Sequence, residues 1–303
     1  MLSPSQTRTF EISGLLRLRG MLRPETAGGH RENILRLARR SGAWNDGVWI
    51  PRSREERRKL LKRVRKSTKL GSFVSPEVYQ LMVELVGRRP ITPWSDQPEL
   101  LFSLPRGRAG VTAEPAEAVS SEPRARRQFA WHVDIDRLPE SGVTGVQFFT
   151  FLDTVEPGGG ATVAVTGSHR LANDRIRRSF ADVKAELTRR PFFQDLFSQD
   201  RPEDTLGAAG QADGVDLQVV ELVGEPGDVY LMDLRVLHSR SPNTRETARM
   251  MVTQRFLLES VRHQVKRRYC RQVTKTTPSV MADAQEVRTC VSVGLPPIRI
   301  TTG

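Results

Sequence analysis

Apolar positions change period along this chain, from about 3.6 residues early to about 2 in the middle, and that switch predicts the layout. Phe10 to Leu22 predicts a short apolar strand that ends in a turn at Arg23-Pro24. From His30 to Arg40, the residues Ile34, Leu35, Leu37 and Ala38 fall at helical spacing. Glu55 to Lys66 predicts a second helix, with Leu60, Leu61 and Val64 facing a core. Pro76 at a helix start, then Val78, Leu81, Met82 and Leu85, with Gly87 as a stop, predict a third. After Pro98 the pattern becomes strand-like, at Leu100–Leu104, Phe129–Asp134, Gly145–Leu152, Ala161–Val165, Leu217–Val223, Asp228–Leu231 and Arg249–Leu258. A helical interlude, Ile176 to Arg190 followed by Phe192, Phe193 and Phe197, interrupts the strands. Gly107 to Arg127 has no period and predicts a mobile loop or insert. The expected organisation is one domain: a mainly helical N-terminal layer over 1–98, a β core over 99–258 with an insert at about 171–216, and a basic C-terminal extension over 259–303. The fold class expected is mostly β with flanking helices (α+β), a barrel or double-sheet jelly roll.

Composition changes this picture little. With 303 residues, 38% hydrophobic and 27% charged, the chain is long enough for a buried core. No apolar run approaches the roughly 20 residues that span a bilayer. The N-terminus lacks a basic segment followed by an apolar one, so no secretory signal is expected. Two late cysteines, Cys270 and Cys290, make neither a disulfide framework nor a zinc site, and a cytoplasmic setting is expected. The net charge of +12 raises the question of nucleic acid, but only seven of the 47 basic residues are lysine and the charge is spread along the chain. The dense basic stretch Arg52–Lys69 reads either as a patch for a phosphate-bearing partner or as the solvated face of the second helix. The helical spacing of its apolar residues favours the second reading.

Four residues carry the candidate chemistry: His132, Asp134, His238 and Arg249. In a strand, His132 and Asp134 point to the same side, while Trp131 and Val133 point to the other. Two imidazoles and a carboxylate can hold one face of a ferrous ion and leave the opposite face open. The His-x-Asp pair alone is weak evidence, since five histidines and 35 acids in 303 residues give roughly 0.6 such pairs by chance. Its context strengthens it. His238 closes an apolar segment, Ser241-Pro242-Asn243-Thr244 is a turn, and Arg249 opens the next strand. That strand carries Arg249, Met251, Thr253 and Arg255 on one face. An arginine pointing into an apolar barrel needs an anion, either a bound carboxylate or a protein acid. His169 follows a turn and reads either as a fourth ligand or as a cap on that loop, the cap being the reading expected. His30 and His263 sit in polar contexts.

These residues resemble the phytanoyl-CoA dioxygenase family of iron(II)- and 2-oxoglutarate-dependent oxygenases. Phe129-Ala-Trp-His-Val-Asp134 resembles the family's strand that carries the first two metal ligands. The stretch from Leu152-Asp153 through Gly158 to Gly167-Ser168-His169 resembles its central segment, and Gly227-Asp228, His238, Pro242-Asn243 and Arg249 its closing one. The resemblance covers residues 10–258. It implies a cupin-like double-stranded β-helix with iron held by His132, Asp134 and His238. It also implies that Arg249 grips the far carboxylate of 2-oxoglutarate and that Phe129 and Thr150 line the co-substrate. Three positions depart from the family pattern: Arg240 where serine is common, Thr166 for a proline and Gly159 for an asparagine. Related halogenases have a small residue in place of the carboxylate, so Asp134 implies hydroxylation or another oxidation.

The function expected is therefore oxidation of an unactivated C–H bond in a small-molecule biosynthetic intermediate. 2-Oxoglutarate and O2 would be consumed, and succinate and CO2 released. The substrate expected is anionic or carrier-bound, and no membrane partner is expected. Two other readings stay open: a non-redox cupin-like ligand-binding protein, and an oxygenase acting on nucleic acid or a carrier-bound substrate. No recognisable nucleic-acid motif supports the former of that last pair.

Overall fold

The computed structural model describes residues 1–50, 53–67, 70–71, 73–105, 129–134, 142–171, 180–198 and 205–262. The expected loop at Gly107–Arg127, His263 and nearly all of the C-terminal extension lie outside these residues. Two antiparallel sheets face each other. The larger runs β1 (Leu15–Leu18), β10 (Val229–Asp233), β6 (Gly145–Phe151), β12 (Arg249–Leu258) and β4 (Ile91–Pro93), with β5 (Glu99–Ser103) also pairing with β12. The smaller runs β11 (His238–Arg240), β7 (Thr162–Thr166), β9 (Val215–Glu221) and β8 (Ala209–Ala212). A two-stranded hairpin, β2 (Trp44–Asn45) with β3 (Val48–Trp49), stands apart.

The sheets are the middle of a four-layer stack, and strand alternation assigns each residue to a layer. Phe149, Phe151, Tyr230, Met232 and Met251 of the larger sheet meet Ala164 and Leu222 of the smaller one in the space between the sheets. The opposite face of the larger sheet, with Val146, Phe148, Leu231, Met250 and Val252, packs on the N-terminal helices. These are α2 (Glu25–Arg40), α3 (Arg54–Ser67) and α4 (Pro76–Leu85), which bury Ile34, Leu35, Leu60, Val64, Val78 and Met82. The outer face of the smaller sheet, with Val163, Val165, Leu217 and Val219, is covered by α6 (Phe180–Leu187) and α7 (Pro191–Ser198) through Val183, Leu187, Phe193 and Leu196. Because both faces of β6 are covered, all seven of its residues are buried. Helix α3 is the dense basic stretch, and its Leu60 and Val64 turn into the core as the helical reading expects.

Two local departures from the sequence expectation have clear causes. Phe10–Leu22 is not one strand: α1 (Pro4–Ser13) precedes β1. Ser3 and Gln6 form a reciprocal capping box, Pro4 opens the helix, and Gly14 ends it at φ 72° with its N–H donating to the Phe10 carbonyl at 2.7 Å. The segment expected as an insert contributes β8 and the start of β9 to the smaller sheet. Short α5 (Ser168–Leu171) follows β7, and its His169 Nε2 lies 3.1 Å from the Glu11 carbonyl, which closes the end of α1. Any Cβ at Gly14 would come within 2.6 Å of His169 Nδ1, so this junction requires glycine twice over.

The N-terminal layer is tied to the sheet by Asp228, which accepts from Arg17 at 2.7 Å and from the Gly20 N–H at 3.0 Å. Burial pushes the Asp228 carboxyl up, but the Arg17 and Gly20 hydrogen bonds outweigh it and hold it below the usual range. A carboxyl so depressed stabilises the fold fully above its unfolded value, about 3.9, and loses that contribution as acid protonates the folded state. Asp228→Asn is therefore expected to cost about 1–3 kcal/mol at neutral pH. In urea unfolding the gap between variant and wild type should narrow on acidification below about pH 4. A gap independent of pH would contradict this reading of the pair.

Candidate metal centre

The first two donors come from a segment outside the regular strands. Residues 129–134, expected as a strand, make one isolated bridge to β11 at His132–His238. His132 N–H donates to the His238 carbonyl and His238 N–H to the His132 carbonyl, both at 2.9 Å. The Ala130 N–H adds a bond to Ser239 Oγ at 2.8 Å. A directly paired antiparallel couple projects its side chains to one side, and the two imidazole rings stand 4.2 Å apart. Two residues on from His132, Asp134 shares that side. Phe129, Trp131 and Val133 turn the other way, into the cluster beneath α6 and α7. His238 lies opposite Ala164 of β7, so the ligand side is the space between the sheets.

Ligand atoms of His132, Asp134 and His238 all lie within 4.8 Å of one another. Two donors on bonds of about 2.1 Å can be at most about 4.2 Å apart, so rotamer-scale adjustment closes the set on one ion. The second contacts of each donor fit a cation. His132 Nδ1 is 2.8 Å from the Ala130 carbonyl, and His238 Nδ1 is 3.0 Å from the Val236 carbonyl. A carbonyl only accepts, so each Nδ1 carries the proton and each Nε2 keeps its lone pair. Asp134 Oδ2 is buried, has no hydrogen-bond partner among the described residues, and lies 3.7 Å from His238 Nε2. Its other oxygen, Oδ1, accepts from Arg255 at 2.8 Å.

The electrostatics favour the metal-binding forms of Asp134 and His238. Burial pushes the Asp134 carboxyl up, but His238, Arg255 and His132 outweigh it and the net shift is down. Burial pushes the His238 imidazole down, more than Asp134 pulls it up. The Arg255 guanidinium is disfavoured by burial, yet Asp134 and Glu99 raise it above its ordinary value.

Arg249 is buried at the start of β12 and donates to the Gly160 carbonyl at 2.6 Å, spanning from one sheet to the loop that enters the other. Directly across on β5 sits Ser103, whose buried Oγ has no hydrogen-bond partner among the described residues. The structure does not bring Phe129 or Thr150 beside the three donors. Phe129 stacks on Trp131 at 5.5 Å. Thr150 shares the helix-side face of β6 with Val146 and Phe148, and its hydroxyl donates to the Asp228 carbonyl at 2.9 Å. His169 is not among the metal-capable donors. Sequence reasoning placed Arg255 on the inward face but gave it no role, and it passed over Gln147, which stands opposite Arg255 in the ladder and donates to Thr253 Oγ1 at 3.0 Å. The signal was available: both are polar residues at inward positions of strands rich in apolar ones.

A sequence model of the phytanoyl-CoA dioxygenase family matches residues 10–251. The chain belongs to the phytanoyl-CoA dioxygenase family. Its class of chemistry is thereby iron(II)- and 2-oxoglutarate-dependent oxidation. The chain is similar in structure to SnoK, a non-heme α-ketoglutarate-dependent carbocyclase from nogalamycin biosynthesis, with TM-score 0.47 and 18% identity over 84% of each chain. It is similar to AviO1 from Streptomyces viridochromogenes Tue57, with TM-score 0.47 and 18% identity over 85% of this chain and 95% of that one. HygX from Streptomyces hygroscopicus, solved with nickel and 2-oxoglutarate, gives TM-score 0.46 and 13% identity over 86% of this chain and 88% of its own. No curated protein matches the chain in sequence. No helix among the described residues is long and apolar enough to cross a membrane.

The tautomers and the lowered His238 value are measurable without metal. Long-range proton–nitrogen spectra of the apo protein should show the Nδ1–H tautomer for both His132 and His238. The His238 ring should stay neutral down through about pH 6.5, the ordinary imidazole value. An Nε2–H tautomer, or a His238 midpoint at or above that value, would contradict the site as described.

Proposed function

We propose that this family member hydroxylates, or otherwise oxidises, an unactivated C–H bond of a small-molecule biosynthetic intermediate, with His132, Asp134 and His238 holding iron(II). The observation that carries the reading is the buried, unpartnered Asp134 Oδ2, 3.7 Å from His238 Nε2, in a donor set with two imidazoles whose Nδ1 atoms are committed to backbone carbonyls. An unpaired buried carboxylate oxygen is costly unless a cation meets it. When bound, iron(II) with 2-oxoglutarate supplies the oxidising power, converting the co-substrate and O2 to succinate and CO2.

The chain's own residues position and protect. Arg249, the co-substrate residue in this proposal, would hold the far carboxylate with its guanidinium. The partnerless hydroxyl of Ser103, directly across the ladder, is a second donor for the same group. Phe149, Phe151 and Met251 keep the space between the sheets apolar, which excludes water from the reacting centre. Asp134 also bears on the outcome of the reaction. A carboxylate at this position occupies the site a halide would need, which favours hydroxylation over halogenation. The polar inward residues Gln147 and Thr253 support a hydrogen-bonding substrate.

Succinate release with iron(II), ascorbate, 2-oxoglutarate and a library of candidate metabolites tests the reading. Wild-type protein should release succinate, and Asp134→Ala should abolish it. Arg249→Ala should weaken 2-oxoglutarate by about 2–5 kcal/mol, at least roughly 30-fold. Release by wild type that Asp134→Ala leaves intact would remove Asp134 from the metal. Unchanged co-substrate affinity in Arg249→Ala would remove Arg249 from its assigned role. No turnover with metal and co-substrate bound would favour a ligand-binding barrel.

A further inference from the structure

We propose that Arg255 is a positioning residue that decides which oxygen of Asp134 meets the metal. The inference rests on the metal reading above and goes one layer beyond it. A carboxylate offers two equivalent oxygens, and it can bind an ion through one or through both. In a two-histidine, one-carboxylate site the difference matters. One oxygen leaves three positions for co-substrate and O2; two oxygens leave only two. A donor on the spare oxygen would favour the first arrangement, and the structure supplies one. Arg255 Nη2 donates to Asp134 Oδ1 at 2.8 Å, while Oδ2, without a partner among the described residues, faces His238.

The geometry that makes Arg255 a clamp is built into three strands. On β12 it shares the inward face with Arg249, Met251 and Thr253, at the end of that face farther from Arg249. Glu99 of β5 stands across from Thr253, one inward position away, and its carboxylate reaches the second arm of the guanidinium at 3.7 Å. Gln147 of β6 lies directly opposite Arg255 in the ladder and is itself fixed by Thr253. The head group thus has acids on two sides, and its stem is set by a strand whose register is locked by two neighbours. The Asp134 side chain is only 5% exposed, whereas the Arg255 side chain is 29% exposed, so the clamp stands between the buried ligand and the outside. An Asp134–Arg255–Glu99 chain also leaves the clamp with no excess positive charge beside a cation site. That balance is what lets a guanidinium sit next to a metal ligand without opposing the metal.

Cobalt(II), titrated into full-length apo protein and followed by its visible ligand-field bands, is the probe. Wild type should bind, and Asp134→Ala should bind much more weakly; if wild type takes no cobalt, or Asp134→Ala takes it equally well, the metal reading itself fails. Given that first result, Arg255→Met should bind cobalt at least about tenfold more weakly, with ligand-field bands changed in position and intensity as the freed carboxylate alters the coordination number. Arg255→Lys should recover most of the affinity, because one ammonium donor can still hold Oδ1. Circular dichroism and the apo melting temperature establish that each variant is folded. If Arg255→Met does not fold, Arg255→Ala carries the same expectation at a position that already tolerates solvent. Wild-type affinity with wild-type bands in a folded Arg255 variant would overturn the proposal. So would tighter cobalt binding, which would make Arg255 a competitor for Asp134 rather than its clamp.

Discussion

One pair of backbone hydrogen bonds holds this site together. His132 and His238 exchange N–H and carbonyl at 2.9 Å in both directions, although more than a hundred residues separate them in sequence. Without that exchange, the 129–134 segment would have little regular structure to fix it, since it belongs to neither sheet. With it, the pleat decides everything downstream. Both imidazoles fall on one side, Asp134 joins them two residues on, and Phe129, Trp131 and Val133 anchor the segment from behind by burial under α6 and α7. The ligand geometry is thus a consequence of strand pairing, and the ring orientations a consequence of the carbonyls of Ala130 and Val236.

The surrounding layers make that pairing rigid and keep its charges manageable. A carboxylate and two imidazoles in the space between two sheets would be costly if left alone. The chain offsets the cost in two ways. Arg255 meets one oxygen of Asp134, and burial keeps His238 neutral, so the site presents lone pairs and a single carboxylate oxygen to a cation. The side chains of Asp134 and His238 are each only 5% exposed, which limits solvent screening between them. The N-terminal helices contribute at a distance: by covering the far face of the larger sheet they fix β12, and β12 carries both Arg249 and Arg255.

Much of this was legible in the sequence because it follows from period. The alternation in Arg249–Leu258 gave the right residues to the right face, and the His-x-Asp spacing put two donors on one side of an extended segment. Apolar spacing gave helices at 30–40 and 55–66, and spacing with Pro76 and Gly87 gave a third; they form over 25–40, 54–67 and 76–85. What was not legible depends on pairing between distant segments. Nothing local to Arg255 says that Asp134 will be its partner. Thr150 is polar in an apolar strand, yet its parity sends it to the helix side, where it bonds the Asp228 carbonyl. Helix α1 was readable but overlooked, because the apolar residues after Gly14 outweighed the capping signature of Ser3, Pro4 and Gln6. Strands β4, β8 and β11 are three or four residues long, too short for a period to show.

The most direct test is a crystal structure of the protein grown or soaked anaerobically with iron(II) and 2-oxoglutarate, with the metal located by its anomalous scattering. One ion is expected, bonded at about 2.0–2.2 Å to Nε2 of His132, Nε2 of His238 and a single oxygen of Asp134, with the far carboxylate of the co-substrate on Arg249. An ion bonded elsewhere, or bonded through a ring Nδ1, would contradict this arrangement.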